Sequence, residues 1–210
     1  LRSNLSDLAA KGAAPHAYTL VVTLNDSVDD AWLEEFSAGL ADDQRRYGIH
    51  LAGGDSLGTK GPLHFTVAAY GIVPTGTFIP RKTPGGPYAV YVSGTIGDSH
   101  LGLRYLLGEA FGLPADQRDY LINRHYAPSP RLELGQGLRG LAKACVDVSD
   151  GLVADLGHIA RLSEIRDNDA DHVPAKDMLG ELRRDNLTLV DSLKRAKAIA
   201  DAAEIGRAHV

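Results

Sequence analysis

Apolar and polar residues follow two different periods along residues 1–165 of the chain. Short apolar runs bounded by glycine, proline or aspartate predict strands at 18–25, 49–55, 63–73, 88–93 and 144–148. Apolar positions at helical spacing predict helices at 4–13, 28–47, 99–111, 116–125, 133–142 and 151–162. Strands and helices alternate, which indicates the α+β or the α/β class. We expect α+β, with mixed sheets packed by helices.

The composition of the chain changes at two places, which predicts its domain organisation. The stretch "PTGTFIPRKTPGGP" at 74–87 is rich in proline, glycine and threonine and indicates a linker. We therefore expect one domain over 1–75 and a second over 76–165. Residues 166–210 show no strand pattern and only a thin apolar stripe, so we expect a helical tail there that is foreign or artefactual.

The bulk composition excludes some classes of partner. Hydrophobic residues make up 44% of the 210 residues, enough for a folded core. The formal net charge is −5 and no basic tract is present, so we expect no nucleic-acid partner. No apolar run reaches the roughly 18 residues of a membrane span, so no membrane partner is expected. Cys145 is the single cysteine, which excludes an internal disulfide and predicts a cytoplasmic location.

The segment "ACVDVSDGL" at 144–152 carries the strongest candidate chemistry. It places Asp147 and Asp150 where a predicted strand ends and a predicted helix begins, with Ser149 between them. Carboxylate oxygens are ligands that Mg²⁺ prefers, and a helix N-terminus offers free N–H groups to phosphate. The pattern is therefore typical of a nucleotide–Mg²⁺ site. The alternative is structural, with Ser149 or Asp150 serving only to cap the helix.

Other candidates have weaker patterns, each with an ordinary structural alternative. Asp55 follows two glycines and suits a metal, or marks a turn; Asp7 suits a metal, or favours the first turn of a helix. The loop "SGTIGDS" at 93–99 could cradle phosphate but lacks the lysine of a P-loop. We expect His158 to be a half-buried packing residue and Cys145 to be inert in a buried strand.

Several motifs occur in one order along the chain: "NLSDLAAKGA", "GGDSLGTKGP", "GIVPTG", "SGTIGDSHLGL" and "HYAPSPRLELGQGLRGLAKACVDVSDGLVADLGHIA". This series resembles bacterial thiamine-monophosphate kinase, a family of the aminoimidazole-ribonucleotide-synthetase-like superfamily, over residues 1–165. The resemblance implies a two-domain synthetase-like architecture whose second domain is incomplete here. It also implies transfer of the γ-phosphate of ATP to thiamine monophosphate, with Mg²⁺ held by aspartates, in a homodimer.

The resemblance also implies roles for individual residues. The implied Mg²⁺ ligands are Asp7, Asp55, Asp147 and Asp150. The implied nucleotide contacts are Gly54, Ser149 and Arg81, the last at the ATP phosphates, which suit a fork-shaped guanidinium. No catalytic side chain is assigned, because phosphoryl transfer depends on positioning and charge neutralisation more than on a protein nucleophile.

Some family motifs have no counterpart in this chain, and its last part has a different pattern. A "GDDAA"-like motif, a "TD…GVHF"-like strand and a "GGEDYEL"-like motif are missing, so we expect a fragment with little or no turnover. One alternative is another ATP-dependent synthetase of the superfamily. A second is a non-catalytic fragment, because the tail resembles a helix of ferritin-like proteins. The ending "EIGRAHV" resembles a translated sequencing adapter.

Overall fold

The computed structural model describes residues 1–83 and 88–163, all within one compact unit, Leu1–Glu164. Its helices are α1 (Arg2–Ala10), α2 (Asp30–Tyr47), α3 (Asp98–Leu106), α4 (Ala115–Tyr126), α5 (Leu132–Gly137) and α6 (Leu152–Leu162). Its strands are β1 (Ala14–Leu24), β2 (His50–Gly58) and β3 (His64–Ile72). The α+β class is therefore confirmed.

β1 is the central strand of a three-stranded mixed sheet with the order β2-β1-β3. It runs parallel to β2, with Val21 opposite Asp55, and antiparallel to β3, with Leu20 opposite Val67. Parallel neighbours need a long crossover connection, and α2 supplies it between β1 and β2. Because side chains alternate along a strand, the sheet presents two distinct faces.

One face of the sheet is covered by helices and carries the core. Four buried side chains form its centre: Leu5, Tyr18, Leu20 and Ile49. Phe36 of α2 packs against this cluster and stacks on Trp32, with ring centroids 5.0 Å apart. Asp29 caps the start of α2 by accepting the Trp32 N–H at 2.8 Å, and the helix ends at a left-handed Gly48.

The other face, called here the open face, carries no helix packing in the described chain. By register and alternation it consists of Thr19, Val21 and Thr23 of β1, Asp55 and Leu57 of β2, and Thr66, Ala68 and Tyr70 of β3. Leu57 is 50% exposed and Tyr70 is 54% exposed. The open face is therefore partly apolar and accessible to solvent.

Two glycines allow backbone segments to approach closely. A Cβ on Gly54 would lie 1.7 Å from the carbonyl oxygen of Leu20, and one on Gly135 would lie 2.0 Å from that of Ala9. Neither oxygen could move without disturbing its own element, because both belong to the backbone. The pairing of β1 with β2 and the contact of α1 with α5 therefore each depend on a glycine.

Two predicted strands, at 88–93 and 144–148, are wrong: these residues are not strands in the structure. A strand needs a ladder of backbone hydrogen bonds. In the second segment Cys145 N–H instead donates a bond to the carbonyl oxygen of Pro80, at 2.9 Å. The domain boundary at residue 75 stays a prediction, and the predicted tail, 166–210, lies outside the described residues. Among the described helices, none is long and apolar enough to cross a membrane.

Candidate functional site

Three predicted site residues from separate segments meet in one cluster. Asp7 lies on α1, Arg81 follows β3, and Asp147 precedes α6. Arg81 Nη2 is 3.6 Å from Asp7 Oδ1. Lys11, at the C-terminal end of α1, donates a hydrogen bond from Nζ to the carbonyl oxygen of Cys145 at 2.9 Å. Two carboxylates and two cations therefore share one region, called here the Asp7–Asp147 cluster.

The surroundings of this cluster disfavour the charges on two of its members. Burial raises the pKa of Asp147 above the ordinary aspartate value, and the negative charge of Asp7 adds to the rise, while Arg81 opposes it. Burial lowers the pKa of Lys11, and the charge of Arg81 adds to that lowering. Perturbed groups of opposite type in one place are typical of functional sites.

A buried carboxylate that the sequence pattern did not single out holds the corner before α6. Asp155 is 4% exposed, and its Oδ2 accepts the N–H groups of Ser149, Asp150 and Gly151 at 3.0, 3.1 and 3.2 Å. The helix begins after Gly151 without a side-chain cap, so the predicted capping by Ser149 or Asp150 is wrong. In the sequence, the only indication of this role was the position of Asp155 in the first turn of the helix, where the helix dipole favours a negative charge.

This arrangement also changes the expectation that free N–H groups at the start of α6 bind phosphate. The N–H groups of residues 149–151 are already bonded to Asp155, so they are not free donors at the helix start. The side chains of Ser149 and Asp150 are exposed, and Ser149 Oγ donates to Asp150 Oδ1 at 3.4 Å. What the corner offers to a ligand is therefore its side chains and the first turn of α6.

Asp150, Asp155 and His158 form a second group of possible metal ligands, with one ligand atom of each within 4.8 Å of the others. Asp155 is already bonded to three N–H groups, and Arg161 Nη2 lies 3.1 Å from His158 Nδ1. His158 is exposed, so the prediction of a half-buried packing residue is wrong. Because two of the three groups have protein partners, this trio is a weaker candidate than the Asp7–Asp147 cluster.

Cys145, whose carbonyl oxygen accepts the hydrogen bond from Lys11, is half-buried. Burial raises the pKa of its thiol, and the charge of Lys11 only partly opposes that rise. A thiol with a raised pKa is a poor nucleophile, which agrees with the prediction of an inert cysteine. Its contribution to the site is made by its backbone N–H and carbonyl groups.

Two further predicted site residues, Gly54 and Asp55, lie on β2. Asp55 is exposed on the open face, and its Oδ1 accepts the N–H of Ser56 at 2.8 Å. Gly54 has a packing reason to be glycine, because a Cβ there would meet the carbonyl oxygen of Leu20. A role of Asp55 as a metal ligand stays a prediction.

The glycine-rich loop at 93–99 contacts α4 through the side chain of Asp98. Asp98 Oδ2 accepts a hydrogen bond from the Tyr120 hydroxyl at 3.0 Å and another from Thr95 Oγ1. Gly97 has a φ of +99°, which glycine adopts more easily than other residues. These contacts give the loop a structural role, and a phosphate contact there stays a prediction.

Comparison with known proteins links the chain to one family. Residues 1–73 match the family described as AIR synthase related protein, N-terminal domain. Thiamine-monophosphate kinase of Escherichia coli strain K12 is 48% identical over 164 residues, which are 78% of this chain and 50% of that protein. The crystal structure of thiamine-monophosphate kinase from Stenotrophomonas maltophilia K279a is 41% identical, with a TM-score of 0.68, covering 78% of this chain and 52% of that one. The structure described as AaThiL complexed with AMPPCP and TMP is 31% identical, with a TM-score of 0.70, covering 77% and 51%.

Residues 1–73 thus match the AIR synthase related class of proteins, and the fold of the described residues agrees with that class. Within that class, the chain is similar to thiamine-monophosphate kinases over 78% of its length. It spans about half the length of the curated relatives it matches.

Proposed function

We propose that the chain supplies the ATP- and Mg²⁺-binding part of a kinase that converts thiamine monophosphate to thiamine diphosphate. The names of its relatives and the neighbour complexed with AMPPCP and TMP support this proposal. AMPPCP is an analogue of ATP with a methylene bridge between its last two phosphorus atoms. The observation in this chain that carries the proposal is the meeting of Asp7, Arg81 and Asp147 in one cluster.

The donor groups of the cluster fit a divalent cation. Asp147 is half-buried and lies close enough to Asp7 for burial and that second charge to raise its pKa. A bound cation would relieve this repulsion, and carboxylate oxygens are the ligands Mg²⁺ prefers. Asp7 and Asp147 would hold the ion in this cluster, whereas Asp150 at the corner before α6 and Asp55 on the open face stay predicted ligands. Bound Mg²⁺ would supply neutralisation of the phosphate charge during transfer.

Arg81 and Ser149 are the groups that we infer to contact the nucleotide. Arg81 is exposed, and its pair with Asp7 at 3.6 Å is a loose surface pair of small net worth. Its guanidinium therefore loses little when it turns to phosphate oxygens. The hydroxyl of Ser149 is likewise exposed beside Asp150. A contact of Gly54 with the nucleotide stays a prediction.

Binding of AMPPCP to the full chain tests the proposal separately from turnover. Isothermal titration calorimetry should detect binding in the presence of Mg²⁺ and at least ~10-fold weaker binding in EDTA. Asp147→Asn and Arg81→Met should each weaken binding about tenfold, as expected for loss of a charged partner. Asp26→Asn removes an exposed loop carboxylate and is the matched control. Equal affinities in Mg²⁺ and EDTA would contradict the proposal.

The phosphate acceptor needs a separate measurement. The chain is incubated with ATP, Mg²⁺ and thiamine monophosphate, and thiamine diphosphate is quantified by chromatography. Because several family motifs have no counterpart in this sequence, we expect little or no product from this chain, and readily measurable product would contradict that expectation. Asp147→Asn should reduce whatever rate is found. Product formed equally fast by that variant would contradict the assigned role of Asp147.

Association of two copies and the cellular location belong to the same proposal. The exposed apolar side chains of Leu57 and Tyr70 on the open face support a homodimer that buries this face. The outer edges of β2 and β3 have no partner strand within the described chain, which favours pairing with another copy. A cytoplasmic location stays a prediction from the single cysteine.

A further inference from the structure

Three backbone segments meet at Lys11 in a closed ring of hydrogen bonds. Ile79 N–H donates to the carbonyl oxygen of Lys11 at 3.3 Å, and Cys145 N–H donates to the carbonyl oxygen of Pro80 at 2.9 Å. The third bond runs from Lys11 Nζ to the carbonyl oxygen of Cys145, at 2.9 Å. The ring therefore joins the end of α1, the segment after β3 and the segment before α6.

Each charged member of the Asp7–Asp147 cluster is attached to one of these three segments. Asp7 lies one helical turn before Lys11, Arg81 directly follows Pro80, and Asp147 is the second residue after Cys145. The position of a side chain depends on how firmly the backbone segment that carries it is held. The ring is therefore positioned to set the separation between the two carboxylates and the guanidinium.

We propose that Lys11 is a positioning residue whose ammonium group closes this ring and holds the Asp147 segment against α1. Two of the three bonds join backbone groups, so they do not depend on the identity of residue 11. The third bond depends on the lysine side chain alone. It is a charge-assisted bond from a half-buried donor, the stronger kind of hydrogen bond. In this role Lys11 needs no contact with a reacting atom.

Hydrogen exchange on the full chain in EDTA tests the ring without reference to any activity. Lys11→Met keeps an unbranched side chain and removes the donor, so the Cys145 amide, which is bonded to Pro80, should exchange about tenfold faster. Lys11→Arg retains a charged donor and should restore slow exchange. Lys143→Met is the matched control, because Lys143 is exposed and makes no hydrogen bond or ion pair with the described residues.

The exchange results decide the proposal directly. Unchanged exchange in Lys11→Met, or the same acceleration in Lys143→Met, would overturn it. If the methionine variant fails to fold, Lys11→Gln serves instead, because it removes the charge and its shorter side chain does not reach the carbonyl oxygen of Cys145. Exchange in Lys11→Gln should also be faster, and a rate equal to that of the unchanged chain would overturn the proposal.

A second measurement distinguishes a positioning role of Lys11 from a purely electrostatic one. This measurement rests on the proposed metal site. Binding of Mn²⁺ alone, followed by electron paramagnetic resonance, should weaken about fivefold in Lys11→Met and remain near its original value in Lys11→Arg. If Lys11 acted only as a positive neighbour of Asp7 and Asp147, its removal would tighten Mn²⁺ binding and overturn the proposal. Failure of the unchanged chain to bind Mn²⁺ would instead contradict the proposed function, and the exchange data alone would then decide on Lys11.

Discussion

At the scale of single residues, Asp155 shapes the corner before α6 although it is not among the predicted ligands. Its buried carboxylate accepts three N–H groups, from Ser149, Asp150 and Gly151. Asp155→Ala would leave those donors without their partner, so the free energy of unfolding should fall by about 3 kcal/mol. Urea unfolding followed by circular dichroism measures this change. Asp150→Ala, at the same corner but exposed, should cost less than about 0.5 kcal/mol, and equal losses would contradict the assigned role.

Asp147 predicts how stability depends on pH in the absence of metal. Burial and the charge of Asp7 raise its pKa in the folded state above the ordinary value of 3.8, so the folded state holds this proton more tightly than the unfolded chain does. The stabilisation that comes from this more tightly held proton is therefore fully present below pH 3.8. It is lost as the pH rises through the folded-state pKa of Asp147.

It follows that Asp147→Asn should be more stable than the unchanged chain at pH 7 in EDTA and no more stable at pH 3. Thermal melts at the two pH values measure the difference, with Asp26→Asn as an exposed control that should not change it. Such a gain in stability at pH 7 is expected when a residue is retained for ligand binding although its charge destabilises the folded state. Greater stability of the unchanged chain at pH 7 would show that the cations of the cluster outweigh burial.

At the scale of elements, two glycines of β2 provide a matched pair of substitutions. Gly54→Ala would place a Cβ 1.7 Å from the carbonyl oxygen of Leu20, which forces β1 and β2 apart and should cost more than about 3 kcal/mol. Gly58→Ala on the same strand meets nothing within 4 Å and should be close to neutral. Chemical denaturation of both variants measures the contrast. A mild effect of Gly54→Ala would show that β2 is free to shift its register.

The same strand shows what a sequence can and cannot predict. The apolar pattern placed β1, β2 and β3 and the six helices near their observed positions, because burial of an apolar stripe dominates local structure. It failed at 144–148, where an apolar run pairs with Pro80 by a single bond instead of a ladder. The apolar pattern also did not predict the packing of Gly54, since the approach of Leu20 depends on the pairing of strands distant in sequence.

The site shows the same division between local and tertiary information. Asp147 and Asp150 were predicted from a local pattern, a carboxylate pair at the start of a helix. The meeting of Asp147 with Asp7 was implied only by family resemblance, because no local rule relates residues so far apart. Lys11 and Asp155 were missed, since their roles depend on hydrogen bonds to backbone groups whose positions the sequence does not give.

At the scale of the whole molecule, the open face is a partly apolar surface of the sheet that the described chain leaves without helix packing. Val21 and Thr23 of its central strand are half-buried, while Leu57 and Tyr70 on its two outer strands are at least half exposed. Asp55 lies on the same face, so a partner that covers it would also change the surroundings of a predicted metal ligand. Association and ligand binding are therefore coupled in the proposed function.

Sedimentation equilibrium of the full chain should consequently detect a dimer in the micromolar range. Replacing Leu57 and Tyr70 together by lysine would place two charges on the open face of each copy, within the proposed apolar interface. This double substitution should weaken association at least ~100-fold. Leu107→Lys is the matched control, because Leu107 is 71% exposed at the end of α3 and away from the sheet. Circular dichroism of each variant checks that folding is intact. A double variant that still dimerises, or a control that dissociates equally, would show that copies associate through a different surface.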